Sequence, residues 1–251
     1  MVGFDLGTIV LGALAAVFAG VSKGGFGSGA AFASVSVLAL VLSPAQALGI
    51  MLPLLMLIDA ATLRPYWRRW SWPETRALLW GAIPGTALGA GLYTIADADL
   101  FRLLIGGISL AFVGWQLCLR TGLITPGKRD LPEWVGMLAG LFAGFTSFVS
   151  HAGGPITAVY LLSRQVQKTA FQATTVLLFA LLNVVKFFPY AYLGIFTADT
   201  VKLDLILAPF ALLGAWLGVK AHWMVPERTF FIVTYIALTL TGCKLIWDAL
   251  G

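Results

Sequence analysis

The chain alternates long apolar runs with short polar loops, and the length of these runs defines the class of protein. Neither Asp, Glu, Lys nor Arg occurs in residues 24–58, 77–96, 103–119, 134–163, 169–185 or 205–219. An α-helix needs about 20 apolar residues to cross the roughly 30 Å hydrocarbon core of a bilayer. The pattern therefore predicts an all-α polytopic membrane protein.

Hydrophobic segments can be drawn at ten places, with boundaries good to about 2–4 residues. They cover 6–21, 26–42, 45–63, 75–95, 99–119, 133–149, 153–163, 170–196, 203–221 and 229–247. The first and second are joined only by SKGGF, and the sixth and seventh only by SHAGG. Each of these pairs is either two spans or one glycine-broken hairpin, which gives 8–10 transmembrane segments.

The second half of the chain repeats motifs of the first half in the same order. VSKGG at 21–25 returns as VSHAGG at 149–154, and GTALGAGL at 85–92 returns as GAWLGVKA at 214–221. LIDAATLRPY at 57–66 aligns without gaps on LLNVVKFFPY at 181–190, which places Asp59 on Asn183. The halves 1–125 and 126–251 each contain five segments. Because this number is odd, the pattern predicts two inverted transmembrane repeats, as in many secondary transporters.

The basic residues of the loops predict the orientation. Eleven lie on one side of the predicted topology: Arg64, Arg68, Arg69, Arg76, Arg120, Lys128, Arg129, Arg164, Lys168, Lys220 and Arg228. Only Arg102, Lys202 and Lys244 lie on the other side, with Asp5, Asp97, Asp99, Asp199, Asp204 and Asp248. Since cytoplasmic loops are rich in Lys and Arg, we expect the loops RPYWRRW (64–70) and KRD (128–130) in the cytoplasm. Both termini are then predicted on the outer, periplasmic side of the inner membrane.

Composition supports the membrane assignment and excludes other classes. The chain is 59% hydrophobic and 11% charged, whereas soluble domains carry about 25% charged residues. The net charge of +5 comes from short loops, so it indicates topology and not a nucleic-acid partner. Cys118 and Cys243 have no CxxC or metal-ligand spacing. We find no catalytic constellation, and we expect no enzyme activity, no metal and no cofactor.

Four ionisable residues lie inside or beside the apolar runs: Lys23, Asp59, His151 and Lys186. Burying such groups in a membrane costs several kcal/mol, which makes each a candidate functional residue. Asp59 and Lys186, with Asn183, form either a buried ion pair that holds the halves together or part of a substrate or proton path. For Lys23 the structural alternative is a loop lysine that reaches the surface, and for His151 it is a hydrogen-bonded core histidine.

The glycine-rich surroundings of Lys23 and His151 favour a binding site for an anion. Glycines permit sharp turns that expose backbone N–H groups, and helix N-termini attract negative charge. The candidate binding residues are Ser22, Lys23, Gly24, Gly25, Ser150, His151, Gly153 and Gly154. We expect the two motifs to form glycine-broken hairpin tips that meet near mid-membrane. His151, with an ordinary pKa near 6.5, could then carry a proton as the site changes sides.

The chain resembles the sulfite exporter TauE/SafE family of bacterial membrane transporters. The residues that carry the resemblance are FAGVSKGGFGSGAAF, AQALGIMLPLLMLIDAATLRPYW and GFTSFVSHAGGP. The resemblance implies a secondary carrier that exports small sulfur-containing anions such as sulfite or organosulfonates by alternating access. An anion channel and a proton-coupled carrier of another small solute remain alternatives. The expected partners are the anion and the lipid bilayer, and a homo-oligomer is possible.

Overall fold

The computed structural model describes residues 4–26, 30–123, 131–221 and 227–251. This part of the chain is all-α, without a strand. Its helices are α1 (Leu6–Gly25), α2 (Ala33–Leu38), α3 (Pro44–Leu63), α4 (Trp72–Ile95), α5 (Ala98–Arg120), α6 (Glu133–Ser150), α7 (Gly154–Ser163), α8 (Lys168–Tyr192), α9 (Ala198–Ala221) and α10 (Glu227–Leu250). Eight of them are long and apolar enough to cross a membrane, which confirms the predicted class. The predicted repeat boundary at 125–126, the KRD loop and residues 27–29 lie outside the described residues.

Polar residues at the ends of apolar runs begin the helices. The Asp5 carboxylate accepts a hydrogen bond of 2.9 Å from the Thr8 N–H at the start of α1. Ser43 and Gln46 form a capping box at the start of α3, with Pro44 in its first turn. Such side chains satisfy N–H groups that have no partner within the helix.

The second predicted segment, 26–42, forms only the six-residue helix α2 in its described part. Its serines bond to neighbouring helices: the Ser34 hydroxyl donates to the Ala15 carbonyl at 2.8 Å, and the hydroxyls of Ser36 and Ser109 lie 3.0 Å apart. These side-chain contacts hold the short segment against α1 and α5. The chain thus returns from the end of α1 to the start of α3 without a further long helix.

Three pairs of helices pack through glycine within the described part of the chain: α1 with α9, α4 with α6, and α5 with α10. A Cβ atom on Gly81 of α4 would lie 1.8 Å from the carbonyl oxygen of Met137 on α6. A Cβ atom on Gly20 of α1 would lie 2.5 Å from the backbone nitrogen of Ala215 on α9. Glycine is therefore required at both positions, and close backbone packing of this kind is typical of membrane helices.

The central helices α3 and α8 run in opposite directions. Gly49, near the start of α3, lies against Ile195, which follows the end of α8. Tyr66, which follows the end of α3, packs on Ala173 near the start of α8. This arrangement brings the middle of α3 to the middle of α8, where the candidate site lies.

Asp204 is not in an outer loop, where the charge count placed it. It is the seventh residue of α9 and only 7% exposed. The predicted segment 203–221 begins one residue before it, and α9 begins five residues earlier than that segment. Asp204 is therefore an additional buried ionisable residue.

Candidate functional site

All four ionisable residues singled out from the sequence are buried. Lys23, Asp59, His151 and Lys186 are at most 6% exposed. A cavity of about 10 Å³ lies among Lys23, Ala31, Leu55, Ser147, His151, Phe179, Asn183 and Lys186. The structure thus brings Lys23 of the first motif and His151 of the second to the same cavity.

Asp59 forms its ion pair with Lys23, so of the two alternatives for Asp59 and Lys186 the direct ion pair is wrong. One Asp59 carboxylate oxygen binds the Lys23 ammonium, and the other accepts a 2.7 Å hydrogen bond from the Asn183 amide. Lys23 reaches Asp59 because the end of α1 packs beside the second half of α3. Asn183 joins this pair to α8 and so links the two halves of the chain.

Lys186 lies one helical turn beyond Asn183 and binds a different set of groups. Its ammonium donates to the Ser147 hydroxyl at 2.9 Å, to the Ser147 carbonyl at 3.1 Å and to Nδ1 of His151 at 2.7 Å. Nε2 of His151 lies 3.4 Å from the Leu48 carbonyl oxygen. A carbonyl only accepts, so the hydrogen sits on Nε2 and Nδ1 accepts from the lysine. This geometry fits a neutral imidazole that accepts a hydrogen bond from the lysine.

The charges around the cavity do not balance. The described lining residues and Asp59 provide two ammonium groups and one carboxylate. Lys23 and Asp59 neutralise each other, whereas the three partner atoms of Lys186 are uncharged. A buried charge without a counterion is costly. Among the described residues, Lys186 is therefore the lysine of the site that lacks a counterion, and a bound anion would supply one.

The glycines of the first motif lie inside the end of α1 and are covered by α9. Gly24 and Gly25 are the last two residues of α1, where they pack against backbone atoms of Gly218 and its neighbours on α9. The prediction that their N–H groups are exposed to a ligand is wrong, because these groups lie within the helix. Ser22 is also buried in α1. These three residues hold α1 in place and are absent from the cavity lining.

The second motif does break the chain. His151 ends α6 in the left-handed conformation, with a φ of 54°, and α7 begins at Gly154 with Gly153 before it. The Ser150 hydroxyl donates to the Thr146 carbonyl of its own helix at 3.1 Å. Neither Ser150 nor the two glycines line the cavity. The break turns the chain beside His151, which does face the cavity.

Hydrogen bonds close the site toward the side that the loop charges assign to the cytoplasm. The Tyr66 hydroxyl donates to the Gly24 carbonyl at 3.1 Å, and the Gln172 amide donates to the Lys23 carbonyl at 2.8 Å. Farther out, Arg164 binds Glu74 at 3.4 Å and so joins the end of α7 to the start of α4.

The opposite side is closed by an aromatic pair. The Tyr190 hydroxyl donates to the Phe148 carbonyl at 2.6 Å, and the two rings meet edge to face with centroids 4.8 Å apart. Because the cavity has room for about one water, the described conformation is closed on both sides.

Two residues contact the lysines of the site but were not predicted as site residues: Ser147 and Gln172. Ser147 is not among the predicted binding residues, although its hydroxyl binds Lys186. It lies four residues before His151 on α6, and this spacing places both side chains on one face. Gln172 aligns with Gln46, but Gln46 caps α3 and only Gln172 contacts Lys23. No local sequence pattern distinguishes these two glutamines.

Comparison with known proteins gives one match. The family model described as sulfite exporter TauE/SafE matches residues 12–245, which include every residue that lines the cavity. No curated protein and no solved structure matches the chain. The eight long apolar helices and this match identify a multi-pass membrane protein of a transporter family. The chain belongs to the sulfite exporter TauE/SafE family.

Proposed function

We propose that this protein is a secondary carrier that exports small sulfur-containing anions, such as sulfite or organosulfonates, across the inner membrane. The observation that carries the proposal is the Lys186 ammonium, which is fully buried and bound only to neutral groups. Such a charge attracts an oxyanion strongly, because the surroundings screen it little. The family supplies the class of substrate.

The anion would bind between Lys186 and the Lys23–Asp59 pair. Oxygen atoms of a sulfite or sulfonate group accept hydrogen bonds from ammonium and hydroxyl groups, and Lys186, Ser147 and Lys23 present both kinds. Since the cavity holds about one water, α1, α3, α6 and α8 must separate before the anion can enter. A closed site of this kind is consistent with an intermediate of alternating access.

His151 is the proposed proton acceptor of the site. Its Nδ1 holds the Lys186 ammonium at 2.7 Å in the closed conformation. When an anion draws Lys186 away, Nδ1 becomes free to accept a proton, and the imidazolium would add a second positive charge beside the anion. Export of the anion together with a proton would follow.

Alternating access is proposed to rest on two inverted repeats, residues 1–125 and 126–251. Equivalent helices make equivalent contacts: α1 packs on α9, and α6 packs on α4. Tyr66 and Tyr190, which align in the sequence, each bind a carbonyl near the end of the first long helix of their own half. The opposite directions of α3 and α8 fit an inverted relation. Together with the loop charges, this arrangement supports the proposal that both termini lie in the periplasm.

Binding to the purified protein tests the site directly. We expect sulfite or sulfoacetate to raise the unfolding temperature of the parent protein, and taurine, which also carries an ammonium, to act more weakly. Lys186→Met should abolish this stabilisation. Lys202→Met is the matched control, because Lys202 is half exposed and pairs with Asp199 at 3.0 Å, so it should bind as the parent does.

An unchanged affinity in Lys186→Met would refute the assignment of the site. Uptake into liposomes then separates a carrier from a channel. A carrier shows flux that saturates with sulfite and accelerates when sulfite is present on the other side. Flux that rises linearly with sulfite and shows no such acceleration would favour a channel.

A further inference from the structure

Asp204 does not line the anion site, yet it is deeply buried. It is 7% exposed, and neither of its carboxylate oxygens accepts a hydrogen bond within the described part of the chain. The other two buried carboxylates there have cationic partners, Asp59 with Lys23 and Glu74 with Arg164. The seventh residue of α9 lies about 9 Å along the helix from its start. Asp204 therefore lies inside the candidate membrane span Ala198–Lys220 and not in a loop.

The surroundings of Asp204 are apolar and closely packed. It shares the buried face of α9 with Thr200, Leu203, Leu207 and Ala211, each fully buried. One turn farther along, Leu207 lies 3.0 Å from the position of a Cβ on Gly12 of α1. Asp204 thus faces the first turns of α1, at the level of Thr8.

No described charged group neutralises Asp204. The helices packed on α9 are α1 and α3. Their charged groups are Asp5, which is exposed at the start of α1, and the Lys23–Asp59 pair at the other end of these helices. On α9 itself, Asp199 and Lys202 are exposed and bind each other. An ionised carboxylate without a partner costs several kcal/mol in such a place, whereas a neutral carboxylic acid costs far less.

We propose that Asp204 is a proton-binding site of the transport cycle, separate from the anion site. It holds a proton while α1 and α9 are packed together. It releases that proton to water when the outer ends of the two helices separate. The side chain goes from carboxylic acid to carboxylate, and the water takes the proton as hydronium, so no other reactant is needed.

Helix α1 connects this proton site to the anion site. Its first turns cover Asp204, and Lys23 in its last turn binds Asp59 beside the cavity. Along its length α1 packs on α9 through Gly20 and Gly24. A movement of α1 as one body would expose Asp204 and displace Lys23 together. The release of the proton would then accompany the opening of the anion site.

Infrared spectroscopy of the purified protein tests the protonation without any substrate. We expect the parent at neutral pH to show the C=O stretching band of a protonated carboxylic acid. Asp204→Asn should lack this band, and the control Asp199→Asn, on the exposed face of the same helix, should keep it. The absence of the band in the parent would overturn the proposal. Loss of the band on adding sodium would also overturn it, because it would indicate a site for a metal cation.

Transport in liposomes tests the coupling, and this part rests on the proposed function. Asp204→Asn mimics the neutral acid in shape, so we expect it to retain sulfite-for-sulfite exchange. It should reduce the proton movement that accompanies net sulfite efflux, measured with a pH-sensitive dye in the vesicle lumen, because only the proton proposed for His151 remains. Proton movement equal to that of the parent would refute the role of Asp204. A parent that exchanges no sulfite would refute the proposed function, while the infrared band would still decide the proton site.

Discussion

Removing either partner of the Lys23–Asp59 pair should destabilise the protein more than removing both. We consider Lys23→Met, Asp59→Leu and the double variant. Two unit charges about 4 Å apart attract each other by about 4 kcal/mol at an effective dielectric constant of 20. Breaking a buried pair by removing one partner typically costs about 3–5 kcal/mol, whereas apolar replacement of both is often nearly neutral. Both side chains are at most 3% exposed, so solvent screens this pair little.

The structure also predicts which single variant loses more stability. In Lys23→Met, Asp59 still accepts the 2.7 Å hydrogen bond from Asn183, so we expect the lower end of that range, about 3 kcal/mol. In Asp59→Leu, the Lys23 ammonium loses its carboxylate and the Asn183 amide loses its acceptor, so we expect the upper end, about 5 kcal/mol.

The assay is the free energy of unfolding, measured by SDS titration in mixed micelles for the parent, both single variants and the double variant. The exposed pair Asp199–Lys202 is the control, where each substitution should change stability by about 1 kcal/mol or less. Strictly additive effects of the two buried substitutions would show that Lys23 and Asp59 do not interact. Single variants as stable as the parent would lead to the same conclusion.

Two further predictions concern topology and packing. In a background without Cys118 and Cys243, a cysteine at Arg68 should resist an impermeant thiol reagent added to whole cells, whereas a cysteine at Arg102 should react. Labelling at Arg68 from outside would reverse the orientation. Gly85→Ala should destabilise by about 1–3 kcal/mol, because its Cβ would lie 2.0 Å from the Leu141 carbonyl oxygen. Gly91→Ala on the same helix meets open space and should be neutral; equal effects in an SDS titration would refute the close packing of α4 on α6.

The helices could be predicted from the sequence because a bilayer imposes one length on every spanning segment. Nine of the ten predicted segments correspond closely to a helix, and the exception is 26–42, where the described part holds only α2. An apolar run shows that a segment is hydrophobic. It does not show whether the segment forms one long helix or a short helix with turns on either side. The glycines of SKGGF and the serines at 34 and 36, which bind α1 and α5, are the local signs of this return.

The buried charges could be located from the sequence, but their partners could not. Lys23, Asp59, His151 and Lys186 stand out because charge is costly in an apolar run. Which of them meet depends on how α1, α3, α6 and α8 surround the cavity. The glycines that pack α1 on α9 and α6 on α4 have neighbours that are distant in the sequence. Asp204, by contrast, was not recognised as buried. It lies near the start of a predicted segment and was therefore counted with the loop residues.

The positive charge of the site arises where the two aligned halves differ. Lys23 aligns with His151, and Asp59 aligns with Asn183. The first half thus has a lysine and a carboxylate that neutralise each other. In the second half, Asn183 replaces the carboxylate and His151 replaces the aligned lysine. A further lysine, Lys186, lies one turn beyond Asn183 on α8 and binds His151. Lys186→Thr, which places there the residue of the aligned position 62, should therefore leave the charges of the site balanced and remove its preference for anions.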